Sequence, residues 1–306
     1  MAGSGGEDLA VVVEGVVKIY ESRGERIVAL REVSLSVARG EVLAIMGPSG
    51  SGKTTLLNII AGIDRPNAGR VIVDGFEVSS AGGEELRRFR LERVGYVFQQ
   101  HNLIPTLTAL ENILLPMALA GKASRLRGQE LLRRVGLEGK ERRYPEELSG
   151  GEQQRLAVAV ALANDPPIIV ADEPTGELDI ATGERIVRIL LEEAHSRGKT
   201  VVLTTHDPRV ARMADRVAVI EDGRLRGVYS PSRIAGATGF GEVEAERAVE
   251  AVMRRILDDA ERRLKEAEDR FRRGEVGIDV LVETYTRVKA LREAVREELS
   301  RLGITG

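Results

Sequence analysis

An unbroken apolar run, Val42–Met46, leads directly into Gly47-Pro-Ser-Gly-Ser-Gly-Lys-Thr-Thr55, and a helix-compatible stretch over Lys53–Ala61 follows as far as Gly62. No other segment limits the fold so tightly. A continuous Val/Leu/Ile run reads as a strand covered on both faces, the setting of a parallel sheet. The glycines behind it let the backbone curl until successive N–H groups converge. The next helix presents its positive end to the same point. Gly47-x-x-x-x-Gly52-Lys53-Thr54 is therefore a phosphate cradle of Walker A type. Lys53 is placed to neutralise β- and γ-phosphates, and the Thr54 hydroxyl to ligate Mg²⁺. Gly47, Ser49, Gly50, Ser51, Gly52, Lys53, Thr54 and Thr55 are the candidate phosphate-binding residues.

A second glycine turn, Leu148-Ser-Gly-Gly-Glu-Gln-Gln-Arg155, opens another helix and offers a second place for a phosphate. Farther on, the apolar strand Ile168–Ala171 ends in Asp172-Glu173-Pro174. The carboxyl ends of strands face the ligand crevice in open α/β sheets. Asp172 is placed to hold Mg²⁺ through water, and Glu173 to polarise an attacking water. Taken alone, the pair also reads as two solvated acids in a turn. His206, one of three histidines, ends the apolar stretch Val201–Thr205 and would reach the same crevice. A lone histidine is more often structural, so that alternative stays open.

Strands at 11–17, 33–37, 71–73, 94–98, 200–204 and 217–220 alternate with helices at 84–91, 152–163, 181–196 and 208–214. Residues 108–137 read as two helical pieces broken near Gly121. This alternation implies a mainly parallel sheet with helices on its faces. Ser230-Pro231 and a Gly/Ala/Thr stretch ending in Gly239-Phe-Gly241 mark a boundary. Beyond it, apolar residues recur from Val249 through Met253, Ile256, Leu264 and Phe271, and again from Ile278 through Val282, Tyr285, Val288, Val295 and Leu302. Two amphipathic helices around Gly274–Gly277 predict an antiparallel hairpin.

Composition excludes several classes. There is no cysteine, so disulfides, thiolate metal sites and cysteine nucleophiles are ruled out. A net charge of -3 with 30% charged residues argues against a broadly basic nucleic-acid surface. The first residues lack the order of a secretory signal, and no apolar run approaches a membrane span. A membrane link is expected only through a partner.

Walker A, Gln99 in Val-Phe-Gln-Gln, Leu148-Ser-Gly-Gly-Glu152, Asp172-Glu173, Asp179 and His206 occur in one order along the chain. This arrangement over residues 8–230 resembles an ATP-binding-cassette (ABC) ATPase. The resemblance implies a P-loop NTPase α/β fold: a RecA-like core with an antiparallel β subdomain and a helical subdomain at about 100–165. The expected organisation is a cassette at 8–230, a linker at 231–241 and the hairpin at 242–304. The resemblance further implies a head-to-tail homodimer holding two ATPs between Walker A of one chain and the signature of the other. Tyr20 would stack on adenine, with a sheet-edge cap as its plainer role. Gln99, preferred to Gln100 because it follows Phe98, would sense Mg²⁺ and the lytic water. Ser149 and Gly151 would touch the γ-phosphate across the interface, aided by the helix starting at Glu152, with Gly150 and Glu152 also among the nucleotide-binding residues. Glu173 would be the general base and His206 the switch histidine. Asp179 would reach across the dimer, cap the following helix, or do both. Two residues depart from the usual pattern, Glu152 at the signature's fifth position and Glu177 in the D-loop.

The stretch Gly95–Asn112, with Arg155 and Thr175-Gly176, is similar to the lipoprotein-release, macrolide-export and cell-division branch. In that branch the ATPase drives an integral-membrane permease, in export or mechanotransmission, from the cytoplasmic face of the membrane. A different-class alternative is a soluble ABC ATPase in DNA repair, translation or cofactor assembly. Such relatives usually carry two cassettes or a long insertion. A non-catalytic protein with a degenerate nucleotide site fits poorly with Lys53, Asp172, Glu173 and His206 all present. Nucleic acid is not an expected partner. The hairpin lies outside the resemblance, and packing appendage and regulatory coiled coil remain open for it.

Overall fold

The computed structural model describes residues 8–22, 25–176, 178–231 and 242–301. They divide into two compact units, Met1–Leu43 with Thr54–Thr205, and Ala44–Lys53 with His206–Gly306. Strand β3 (Val42–Met46) and helix α1 (Lys53–Ile60) each carry the chain from one unit to the other.

The first unit contains an antiparallel sheet in the order β2-β1-β4-β5, formed by β1 (Leu9–Ser22), β2 (Glu25–Ala38), β4 (Ala68–Val73) and β5 (Phe76–Glu77). It also contains a parallel ladder of β6 (Val94–Val97), β7 (Ile168–Ala171) and β8 (Thr200–Thr205), with Val94 opposite Ile168 and Ile168 opposite Thr200. All of β7 and β8 is buried, as continuous apolar strands require. The start of β3 lies beside β8, where the Val201 N–H donates to the Glu41 carbonyl at 2.9 Å.

The helices of this unit are α1, α2 (Gly83–Arg93), α3 (Ala109–Leu119), α4 (Arg125–Arg134), α5 (Gly150–Ala161) and α6 (Ile180–His195). A capping box between Thr108 and Glu111 starts α3, and Gly121 at φ 69° separates it from α4. Helices α3, α4 and α5 pack on one another, and Ile113, Leu131 and Leu156 on them are fully buried.

The second unit holds the glycine loop, α7 (Pro208–Arg212), β9 (Arg216–Glu221), β10 (Arg224–Tyr229) and two long helices, α8 (Glu242–Arg272) and α9 (Ile278–Arg301). Strand β10 departs from the sequence reading, which closed the chain's last strand at Asp222-Gly223. These two residues have φ 49° and 75°, the conformation of a type I′ turn, and they fold β10 back on β9. Because β10 is half exposed along its length, it carries no continuous apolar signal.

Helices α8 and α9 pack together, and Arg292 pairs with Glu261 across them. Val252, Met253, Ile256 and Leu264 on α8 are buried, as are Val288, Leu291, Ala294 and Val295 on α9. The expected apolar stripe of α9 is divided, because Ile278, Val282 and Tyr285 are more than half exposed. At about 100° per residue they project from a different face than the seam through Val288, Leu291 and Val295. Helix α8 packs on β9 and β10, and α9 on α7. The expected linker beyond Pro231 and the D-loop residue Glu177 lie outside the described residues. Among the described residues, no helix is long and apolar enough to cross a membrane.

Candidate nucleotide site

The glycine loop has the shape its composition predicts. Gly50 and Gly52 have φ 76° and 103°, backbone that a side chain would strain. A Cβ at Gly47 would collide with the Ile220 carbonyl, so only glycine fits at that point. Ser49 and Gly50 are exposed at the crest, whereas Ser51 and Lys53 are 2% and 5% exposed. The Lys53 ammonium donates to the Gly47 and Pro48 carbonyls, both at 2.9 Å, which arches the loop over its own cation. The Ser51 Oγ is buried without a hydrogen-bond partner among the described residues. An unsatisfied buried hydroxyl in a glycine loop suits a phosphate oxygen.

Helix α1 continues from this loop into the first unit, where the Thr54 hydroxyl donates to Asp172 Oδ1 at 3.1 Å. Asp172 is 7% exposed at the end of β7. A third residue completes the cluster. The Thr204 hydroxyl donates to Asp172 Oδ1 at 2.7 Å and accepts the Glu173 backbone N–H at 2.8 Å. One fully buried side chain on β8 thus positions both acids. Thr204 was not among the sequence candidates. Its signal was present in the Thr-Thr-His run before His206, but an isolated threonine in an apolar strand reads as β propensity. Glu173 sits at φ 42°, unusual for a side-chain-bearing residue, and strain of this kind concentrates at functional sites. Thr54 and Asp172 supply only hard oxygen donors, the chemistry suited to Mg²⁺. Nearby, burial and then the Asp172 charge hold the Tyr96 phenol well above its ordinary range, so it stays a neutral donor to Asn58 Oδ1 at 2.9 Å.

The remaining candidates are nearer the surface. Gln99 is exposed just beyond β6 and forms no side-chain hydrogen bond among the described residues, so the structure does not join it to Thr54 and Asp172. The preceding Phe98 carbonyl accepts from Gln154 of α5 at 3.4 Å. Tyr20 on β1 is 38% exposed, and its hydroxyl donates to Asp64 Oδ2 at 2.6 Å. The Lys18 ammonium lies 4.8 Å from the centroid of the Tyr20 ring. Thr55 is half-buried on α1, and His206 is half-buried between β8 and the Asp207 cap of α7.

Ser149 and Gly150 are exposed at the N-terminus of α5. Glu152 closes that end, accepting the Ser149 N–H at 3.1 Å and pairing with Lys140. The Lys140 contact chiefly, with the Ser149 N–H, holds the Glu152 carboxyl below its usual range despite some burial. This gives a physical reason for an acid at the position, since a carboxylate serves the cap and the lysine together. A Cβ at Gly151 would stand 2.5 Å from Thr182 Cγ2, so glycine permits the approach of α6. Asp179 caps α6 by accepting the Thr182 N–H at 3.1 Å. The Thr182 hydroxyl chiefly, and then that N–H, hold its carboxyl below the ordinary aspartate range.

Comparison with known proteins identifies the family. Residues 30–176 match the family model described as ABC transporter. An ABC transporter ATP-binding protein of Methanocaldococcus jannaschii, MJ0796, is 46% identical over 222 residues, covering 70% of this chain and 94% of the relative. A Thermotoga maritima ABC transporter ATP-binding protein is 47% identical over 226 residues, covering 73% and 96%. The macrolide export ATP-binding/permease protein MacB of Chromobacterium violaceum is 41% identical over 277 residues, 87% of this chain but 42% of that longer protein. A solved dimeric structure of MJ0796 in a post-hydrolysis state with ADP and Pi superposes with a TM-score of 0.69 at 43% identity, covering 75% of this chain and all of that one. With these relatives and a phosphate loop, strand-end acids and signature turn in one chain, the protein belongs to the ABC transporter family as an ATP-binding, ATP-hydrolysing subunit.

Proposed function

We propose that two copies of this chain close head to tail over two ATP molecules and that closure drives an integral-membrane permease of the export or mechanotransmission type. The supporting observation is a contrast in burial. Asp172, Thr204 and Lys53 are buried and bonded within the chain, whereas Ser149 and Gly150 stand exposed at a helix N-terminus. Such an exposed end is suited to a phosphate brought by another molecule.

In this reading the loop N–H groups and Lys53 bind the β- and γ-phosphates, and the Tyr20 ring supports the adenine. Thr54 and Asp172 hold Mg²⁺, with Gln99 as a further ligand and sensor. Mg²⁺ held there would supply neutralisation of charge developing on the phosphate oxygens. Glu173 takes the proton of the attacking water, and Thr204 fixes the backbone that carries it. His206 contacts the γ-phosphate, and Asp179 couples the two sites while capping α6. Ser149, Gly150 and Gly151 of the second copy complete the enclosure, with Glu152 holding their turn in shape. The ATPase would work at the cytoplasmic face, reaching the membrane only through its permease.

Glu173→Gln tests the reading. Turnover should fall about 100- to 10,000-fold, the usual contribution of a general base, while ATP binding persists and a dimer accumulates on size exclusion. Unchanged turnover would remove Glu173 from the role. Affinity purification from native membranes should recover a permease, and recovery of ribosomes or DNA without one would overturn the transport assignment.

A further inference from the structure

The glycine loop is braced from outside its own motif. Gly223, the second residue of the β9–β10 turn, donates its N–H to the Ser51 carbonyl at 3.0 Å. Two residues before that turn, the Ile220 carbonyl fills the space a side chain at Gly47 would need. In a two-residue hairpin turn the central N–H groups are not used by the strand ladder, which leaves the Gly223 donor for the loop. The same turn carries two carboxylates, and both meet one arginine of the appended helix α8. Arg255 Nη1 donates to Glu221 Oε1 at 2.5 Å and to Asp222 Oδ2 at 3.3 Å, and Nη2 donates to Asp222 Oδ1 at 3.3 Å. Arg226 takes the other Glu221 oxygen at 3.0 Å.

Arg255 is fixed at its base. Val252, Met253 and Ile256, its neighbours along α8, are no more than 3% exposed, so the guanidinium hangs from a rigid support. Arg255 lies in the same compact unit as the whole loop from Gly47 to Lys53.

We infer that Arg255 is a positioning residue for ATP binding, acting through the Glu221-Asp222-Gly223 turn on the Ser51 carbonyl. Holding the turn sets the height of that carbonyl and with it the direction in which the loop N–H groups point. Such a contact acts on ground-state binding of phosphate more than on the water attacked later, so it separates KM from kcat. The inference rests on reading the loop as the ATP site, and it gives the hairpin a defined task in that site.

The test uses the full chain and measures ATP dissociation constants by equilibrium titration beside steady-state turnover. Arg255→Ala should weaken ATP binding and raise KM about fivefold, a modest coupling between groups in contact, with kcat within about twofold. Arg255 is half exposed, so the variant should fold with a near-normal melting temperature. Arg255→Lys should recover part of the loss, because an ammonium keeps the charge but not the fork that spans two carboxylates. Asp222→Asn should act in the same direction, and adding it to Arg255→Ala should cost no more than Arg255→Ala alone. ATP affinity in Arg255→Ala matching wild type would overturn the inference. So would fully additive losses in the double variant, or a lowered melting temperature with KM unmoved. Failure of the wild-type chain to bind ATP would instead overturn the reading of the loop itself.

Discussion

The strand-end cluster and the signature turn both sit in the first compact unit, yet they are built in opposite ways. Around Asp172 the polar groups bond within the chain, with Thr54 and Thr204 converging on one carboxylate oxygen and Glu173 tethered by its backbone. Ser149 and Gly150 are exposed, and the Ser149 N–H is given to Glu152, which keeps the turn in shape. The difference separates chemistry from assembly. A buried cluster fixes geometry in advance, while an exposed helix N-terminus is suited to a ligand carried by a partner.

The comparison is broken most directly at the buried end. Asp172→Asn should lower Mg²⁺-dependent turnover about a thousandfold, since metal-ion catalysis supplies several kcal/mol, with an assay over a range of Mg²⁺ as the check. Ser149→Ala should act only after assembly, reducing turnover about a hundredfold by loss of one donor to transition-state charge. Titration of ATP below the dimerisation concentration should give wild-type affinity for that variant. A loss of affinity there would mean that the signature belongs to the same pocket as the loop.

Thr204→Val keeps the shape and removes the hydroxyl. It should cost about 1–3 kcal/mol in denaturant unfolding, because the Glu173 N–H and the Asp172 carboxylate lose a buried partner. Turnover should fall with it as Glu173 loses its tether.

The smallest effect belongs to Glu152. Its folded-state carboxyl is held below the ordinary value of 4.5. The stability it contributes is therefore present above the unfolded pKa and lost as pH falls through the depressed folded value. Glu152→Gln should cost about 0.5 kcal/mol at pH 7, typical of a solvent-accessible pair. The gap to wild type should close on acidification below about 4.5. A gap that persisted in acid would show that Lys140 does not supply the effect.

Legibility in the sequence followed the range of the interaction. The glycine loop could be read because strand, turn and helix are contiguous, and each residue's task is set by its immediate neighbours. The break between α3 and α4 was readable at Gly121 for the same reason. Asp172 and Glu173 were visible from an apolar strand ending in acids, but nothing in that stretch specified Thr204, which joins Asp172 from 32 positions away. Strand β10 was missed because a half-exposed strand lacks the apolar run by which buried strands declare themselves. In the hairpin, periodicity gave two helices, but the seam between them was settled by packing, which buries Val288 and Val295 and leaves Val282 and Tyr285 outside.

The sequence by itself determined the phosphate loop, the strand-end acids, the signature turn and the existence of two terminal helices, since each is a local pattern whose physics is complete within a few residues. Only the tertiary structure decided that Thr204 serves both acids, that Glu152 pairs with Lys140, and that Arg255 reaches the turn bracing Ser51. Those contacts join segments whose separation along the chain carries no signal, and directional hydrogen bonds between them exist only once burial has fixed the distances.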